Sequence, residues 1–167
     1  MRINKEQRVG VFVDVQNLYY SAKNLYKAKV NFAAVLREAV KGRKLVRAIA
    51  YVIKANIKEE KNFHDALENI GYEVRMKDLQ TFAGGAKKGD WDIGIAMDMI
   101  ELANKLDTMI LVSGDGDFVD LLQHLKRAMG CRVEVIAIGP SSSGKLRDEA
   151  DDFMDIDKSK SKFLIKY

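Results

Sequence analysis

The stretch Asp107–Leu122, DTMILVSGDGDFVDLL, decides the fold. Four apolar residues, Met109 to Val112, run straight into Ser113-Gly114-Asp115-Gly116-Asp117, and a helical pattern starts at once. That order reads as a buried strand ending in a tight turn that opens a helix. Two carboxylates stand in the turn between glycines, which let a backbone bend sharply and approach a ligand closely. A buried strand that delivers acids at its carboxyl end needs something to balance them.

Upstream, Arg8–Asp14 (RVGVFVD) is a first strand that also ends in an acid. Asn17–Lys27 follows as a helix with Leu18, Ala22, Leu25 and Tyr26 at helical spacing. Asn31 caps a second helix carrying Phe32, Val35, Leu36 and Ala39, which stops near Gly42. Leu45–Ile53 is the second strand, Glu59–Ile70 a helix ended by Gly71, and Tyr72–Met76 the third strand. Residues 78–90 break the rhythm, and the small, basic, glycine-rich segment 82–89 is expected to be a mobile surface loop. Trp91–Leu106 is a long helix with Ile93, Met97, Ile100 and Leu106 among its apolar positions. The opening stretch is the fourth strand, and its helix runs through Met129 to a stop at Gly130. Arg132–Ile138 is a fifth strand, Lys145–Asp152 one or two helical turns, and Phe153–Ile156 a short strand.

Strands alternating with helices of this length imply a three-layer α/β sandwich around a mostly parallel five- or six-stranded sheet. With strand order 3-2-1-4-5, the order reverses between the strands ending in Asp14 and in Asp115-Gly-Asp117. Ligands bind such sheets at that point, outside the carboxyl ends of the strands. Residues 1–157 are read as one domain and 158–167 as a lysine-rich C-terminal tail. The apolar end of that tail, Phe163-Leu164-Ile165, could pair with a second chain in a homodimer.

Composition sets the outer bounds. Apolar residues make up 47% and charged residues 31% of the 167, as in a folded globular chain. No apolar run is long enough to span a bilayer, and MRINKEQRVG lacks the core of a signal peptide, so no membrane association is expected. A lone Cys131 excludes an internal disulfide and suits a reducing, cytoplasmic setting. The net charge of +4 permits a polyanionic partner without requiring one.

The acids carry the chemistry. Asp14, Asp115 and Asp117 meet at one sheet edge in this topology, and Asp92 joins them from the start of the preceding helix. Taken singly, each has an ordinary role open to it, as a helix cap or an Asx turn. Taken together, carboxylates ~4 Å apart repel by roughly 4 kcal/mol at an effective dielectric near 20, so a cluster needs shifted pKa values or a cation. Oxygen ligands without clustered His or Cys suit Mg²⁺ or Mn²⁺. The fitting reaction is metal-assisted phosphodiester hydrolysis.

Three segments, VFVDVQNLYY (11–20), KKGDWDIGIAMDMI (87–100) and ILVSGDGDFVDLL (110–122), resemble the LabA-like branch of NYN domains, within the PIN-like nuclease superfamily. Gly139, Ser143, Leu146, Ala150-Asp151 and Phe153 extend the likeness over residues 8–156. The resemblance implies a Rossmann-like PIN fold and a metal-dependent ribonuclease site. By position it makes Asp14 and Asp115 the central ligands, with Asp92 and Asp117 completing the set, and Asn17 a contact to a metal-bound water or a phosphate. Asp90 competes with Asp92 for the inward position, because many relatives have a single residue where Asp90-Trp91 stands here. Asp98 is expected to face water or to make a structural hydrogen bond.

Further candidates surround this group. Lys87 and Lys88 can hold a phosphate backbone without reading sequence, and Ser113 and Ser143 are grouped with them as substrate contacts, as is Lys145. Gly139–Lys145 matches GxxxxGK, but Leu146 stands where a hydroxyl should follow, so a phosphate-cradling loop is disfavoured. Tyr19 and Tyr20 can stack on bases, with core or rim packing the commoner fate. His64 and His124 are read as surface or packing residues, and the lysines of 158–162 as a disordered tail in preference to an auxiliary RNA contact. The leading expectation is a metal-dependent endoribonuclease acting on single-stranded or flexible RNA. Its rivals are an RNA- or nucleotide-binding regulatory module without turnover, and a phosphatase with Asp14 as nucleophile, which would want an acid where Gln16 stands.

Overall fold

The computed structural model describes residues 3–54, 60–78, 80–81, 87–88 and 90–166. The first strand, β1 (Arg8–Asp14), leads directly into α1 (Val15–Tyr26), because the Asp14 carboxylate accepts from the Asn17 amide and caps the helix. A short strand, β2 (Ala28–Val30), follows. Asn31 then caps α2 (Phe32–Val40), and β3 (Lys44–Lys54), α3 (Glu60–Ile70) and β4 (Glu73–Asp78) complete the first half. The two-residue strands β5 (Gln80–Thr81) and β6 (Lys87–Lys88) pair antiparallel. The expected mobile loop at 82–89 falls otherwise outside the described residues. The second half comprises α4 (Asp92–Leu102), β7 (Thr108–Val112), α5 (Val119–Arg127), β8 (Arg132–Ala137), α6 (Gly144–Glu149) and β9 (Asp152–Asp155).

Six strands form one parallel sheet in the order β4-β3-β1-β7-β8-β9. This is the anticipated 3-2-1-4-5 order with the short last strand added at the edge. The order reverses between β1 and β7, where Val13 pairs with Val112.

Alternate residues of each strand feed two cores, one per face. Val9, Val11, Val13, Ala48, Ala50, Ile110 and Val112 pack against α1, α2 and α3. Phe12, Ile49, Met109, Leu111, Val133 and Val135 pack against α4, α5 and α6. Gly10 lies on the second face, and a Cβ there would come within 2.5 Å of Leu106. In α4 the buried residues are Ile95 and Met99, whereas Ile93, Met97 and Ile100 are exposed. The helix is apolar on most sides, so spacing alone did not select the face that meets the sheet. Cys131 is a buried free thiol whose pKa burial raises.

The end of the chain differs from the expected disordered tail. Residues 160–163 form α7 (Lys160–Phe163), and β10 (Leu164–Lys166) pairs antiparallel with β2. Phe163 is 1% exposed and belongs to the first core, so it is not free to meet a second chain. Its carbonyl accepts from the Asn31 amide at 2.7 Å, and Lys162 pairs with Glu38 at 2.7 Å. Tyr26 donates its hydroxyl to Asp157. A lysine-serine run folds here because one aromatic residue, placed opposite α2, has a core to enter. Among the described residues, no helix is long and apolar enough to cross a membrane.

Candidate metal centre

The site is assembled where β1 and β7 end side by side. Asp14 is 8% exposed, and each of its oxygens has a partner. Oδ1 accepts from the Asn17 amide at 3.3 Å and Oδ2 from the Ser113 hydroxyl at 3.0 Å. Ser113, fully buried, accepts in turn from the Asp115 amide at 3.2 Å. The Asn17 side-chain oxygen accepts from the Gly114 amide at 3.0 Å. Asn17 and Ser113 therefore cross-link the two strand ends and fix Asp14 relative to Asp115.

Asp115 caps a 3₁₀ turn, Gly116–Phe118, by accepting from the Asp117 amide at 2.9 Å, so one residue's carboxylate holds the next acid in place. The flanking glycines serve a different purpose from the sharp bend expected of them. Neither has a positive φ. A Cβ on Gly114 would stand 2.9 Å from Ser142, and one on Gly116 2.9 Å from the Ser143 hydroxyl. The Ser143 amide donates to the Gly114 carbonyl at 2.9 Å. The glycines admit the neighbouring 139–143 loop, which supports the acidic turn from behind.

Asp92 arrives from the first turn of α4, and Trp91 positions it. The buried indole donates to the Val52 carbonyl at 3.0 Å and packs against Tyr51, with ring centroids 5.4 Å apart. Gly94 leaves room for it, since a Cβ there would lie 2.5 Å from the ring. Lys77 and Arg75 cover the ring with their charges at 4.4 and 5.1 Å. This anchoring cluster was not legible in the sequence, where Trp91 marked only the start of the helix and an extra residue before Asp92.

Single carboxylate oxygens of Asp92, Asp115 and Asp117 lie within 4.8 Å of one another. Asp14 stands outside that triad and joins it through Ser113 and a shared cleft of about 390 Å³, whose wall also includes Asp90, Asp92 and Asp115. Asp90 and Asp92 both face this space, and Asp90 accepts from the Asp92 amide at 3.2 Å. A second cleft of about 380 Å³, lined by Asp90, Asp92 and Asp117, lies on the α4–α5 side. Asp92 thus separates two openings.

The electrostatics follow from this crowding. Burial pushes the Asp14 carboxyl up to about 6, against the hydrogen bonds from Asn17 and Ser113, and the charges of Asp115 and Asp90 add to the rise. Asp92 is pushed up to about 7, first by burial and then by Asp115, Asp14 and Asp90, with a carboxyl–carboxylate hydrogen bond to Asp115. Among the described residues, no lysine or arginine forms an ion pair with any of these acids. Oxygen donors crowded in this way match the requirements of a hard divalent cation.

The other candidates have defined places. Asp98 makes the expected structural contacts, accepting from Tyr51 at 2.7 Å and pairing with Arg75. Ser143 caps α6 by accepting from the Leu146 amide at 3.3 Å. The GxxxxGK loop holds no phosphate cradle: the Gly139 amide donates to Asp155 at 2.8 Å, and that carboxylate fills the space a Cβ would need. Lys87 and Lys88 lie on β6, and their side chains fall outside the described residues. His64 comes close to Asp65 and Glu68 on the solvent face of α3, where Glu68 is its i+4 neighbour. Tyr20 is half exposed on the wall of the first cleft rather than packed in the core.

The fold agrees with what the chain is similar to. It is 28% identical to the low amplitude and bright protein LabA of Synechococcus elongatus over 94% of this chain and 88% of the relative. A crystal structure of a protein of unknown function, VPA0982 from Vibrio parahaemolyticus, superposes with a TM-score of 0.88 at 35% identity, covering 99% of this chain and all of that one. The NYN domain matches residues 8–157, from the start of β1 to just past β9. The chain belongs to the NYN domain family.

Proposed function

We propose that this protein is a Mg²⁺- or Mn²⁺-dependent endoribonuclease that hydrolyses phosphodiester bonds in single-stranded or flexible RNA. The observation that carries the reading is the gathering of Asp14, Asp92, Asp115 and Asp117 at the switch point, without an ion-pairing cation among the described residues. A stability-neutral set of acids would disperse or pair; this one is held together by Ser113, Asn17 and the Asp115 cap.

Asp92, Asp115 and Asp117 would hold the cation, with Asp14 completing the set from beneath. When bound, the divalent ion supplies Lewis-acid activation of water and offsets charge on the attacking and leaving oxygens. The chain's own part is positioning. Ser113 and the Asn17 amide keep Asp14 oriented, and burial together with Asp115, Asp14 and Asp90 pushes the Asp92 carboxyl up to about 7. Lys87 and Lys88 provide positive charge on the segment leading into Asp90, suited to a phosphate backbone. Asp14 is poorly suited to act as a nucleophile, because both of its oxygens are already hydrogen-bonded. The buried free thiol of Cys131 fits a protein working in the reducing cytoplasm.

Purified protein is expected to cleave single-stranded RNA with Mn²⁺, to stop on EDTA addition and to resume on resupply. Asp115→Asn should lower turnover by a hundredfold or more, about 2.7 kcal/mol of transition-state stabilisation. Undiminished cleavage in EDTA, or by the variant, would overturn the assignment. Metal binding without cleavage of any RNA tested would leave the non-hydrolytic binding module.

A further inference from the structure

The cleft beside the acids has a second wall that the hydrolytic chemistry does not use. Gln16, Tyr20, Ser21 and Asn24 line it from α1, together with Asn17. Gln16, Tyr20 and Asn24 recur every fourth residue, so they form one stripe along the helix that begins at Asp14. Ala22 and Leu18 take the opposite, buried side. Two primary amides, a hydroxyl and an aromatic ring therefore face a space that ends at the carboxylates. Among the described residues, the side chains of Gln16, Ser21 and Asn24 have no hydrogen-bond partner, whereas Asn17 spends its oxygen on Gly114.

Tyr20 is 50% exposed. A half-bare tyrosine on a cleft wall is a surface awaiting a flat apolar partner. Tyr19 meets it edge-on, with centroids 5.3 Å apart and planes at 81°, which restrains the ring. The cleft volume of about 390 Å³ lies at the small end of the range for compact ligands, ~300–1,000 Å³. Among common biological ligands, a nucleotide unit matches both ends: a planar base for the ring and amides, and a phosphate for the acidic end once a cation is present. Proteins that read single-stranded RNA splay bases onto aromatic rings and hydrogen-bond their edges in the same manner.

We infer that the α1 face formed by Gln16, Tyr20, Ser21 and Asn24 is a nucleobase subsite of the acidic centre. This deepens the proposed function and rests on it for the phosphate end. Tyr20 stacks on the base next to the bound phosphate, and Gln16 and Asn24 discriminate its edge. The ligand is a base-bearing phosphate, supplied either by an RNA strand or by a free nucleotide.

Two measurements on the full chain test it. The first titrates each of the four nucleoside 5′-monophosphates, with Mn²⁺, into wild type, Tyr20→Ala, Tyr20→Phe and Asn24→Ala by calorimetry. These ligands have no internucleotide bond, so binding is read independently of cleavage. Tyr20→Ala should weaken binding about tenfold, Tyr20→Phe should restore it because the ring is kept, and Asn24→Ala should change the ranking of the four bases. The second measures KM and kcat on oligo(A), oligo(U) and oligo(C), where Tyr20→Ala should act on KM and level the differences among the three. Monophosphate binding that Tyr20→Ala weakens, without RNA cleavage, supports the subsite while defeating the nuclease reading, and identifies free nucleotide as the source. Base-dependent RNA cleavage that Tyr20→Ala levels identifies RNA. RNA cleavage with the same KM values in wild type and Tyr20→Ala, or monophosphate binding unaffected by that substitution, overturns the subsite and leaves the nuclease reading intact.

Discussion

The two ends of the parallel sheet handle charge in opposite ways. At the amino-terminal edge, charges are paired. Arg8 meets Asp107 at 3.1 Å, and the buried Arg43 guanidinium grips Glu134 at 2.8 and 3.1 Å while donating to the carbonyls of Ala39 and Val40. Burial pushes the Glu134 carboxyl up, but hydrogen bonds from Arg43 and Arg132 outweigh it and hold the group below its usual range. At the carboxyl-terminal edge, Asp14 and Asp92 are raised, and their neighbours are further acids. One edge uses charge to close the fold, and the other leaves its acids without an opposing side-chain charge among the described residues.

Breaking the paired edge should have the largest effect on stability. Arg43→Ala leaves Glu134 buried without its main partner and should cost ~3–5 kcal/mol in urea unfolding. A loss below ~1 kcal/mol would mean that water reaches this edge after all.

The glycines behind the acidic turn come next. Gly114→Ala forces a Cβ against Ser142 and should cost ~1–3 kcal/mol. It should also lower Mn²⁺ affinity, because Asp115 moves with the turn. Calorimetry and a melting curve on the same sample check both.

Asp92→Asn should give the opposite signs for stability and binding. Removing one of several mutually repelling carboxylates should raise the melting temperature of the metal-free protein at neutral pH while weakening Mn²⁺ binding. A fall in both would make Asp92 a structural residue.

The pH trend separates the edges by sign. The raised Asp14 and Asp92 favour the folded state fully below the unfolded pKa of about 4. That contribution is lost as pH rises toward 6 and 7, because the folded state binds more protons across the window. The lowered Glu134 works the other way: its contribution is present above the unfolded value and is lost as pH falls through the folded one. Metal-free melting curves should therefore decline from pH 4 to 7 at the acidic edge's expense. Mn²⁺ should remove the decline by favouring the deprotonated acids, and Asp92→Asn should flatten it without metal.

The fold was largely legible because its signals are local. Apolar runs, the Asn31 cap, and the stops at Gly71 and Gly130 lie within a few residues of what they specify. Alternation of strand and helix then leaves few topologies, and the switch point between β1 and β7 follows. The acids at strand ends were visible for the same reason. Less legible was anything that depends on what lies opposite. The face of α4 that meets the sheet was hidden because the helix is apolar on most sides. The folded end of the chain was hidden because only the pocket near α2 makes Phe163 worth burying.

By itself, then, the sequence determined the parallel α/β sheet, its reversal point and the delivery of Asp14 and Asp115 to it, since these depend on periodicity and chain order. Tertiary structure alone decided that Ser113 and Asn17 tie the strand ends together, that Trp91 sets Asp92 over the site, and that Gly114 and Gly116 make room for Ser142 and the Ser143 side chain. It also decided that Tyr20 stands open beside the acids. The division has a physical cause. Secondary structure follows from interactions within one segment, whereas cross-links, close approaches and cleft walls are made by residues far apart in sequence, and neither partner carries the other's position.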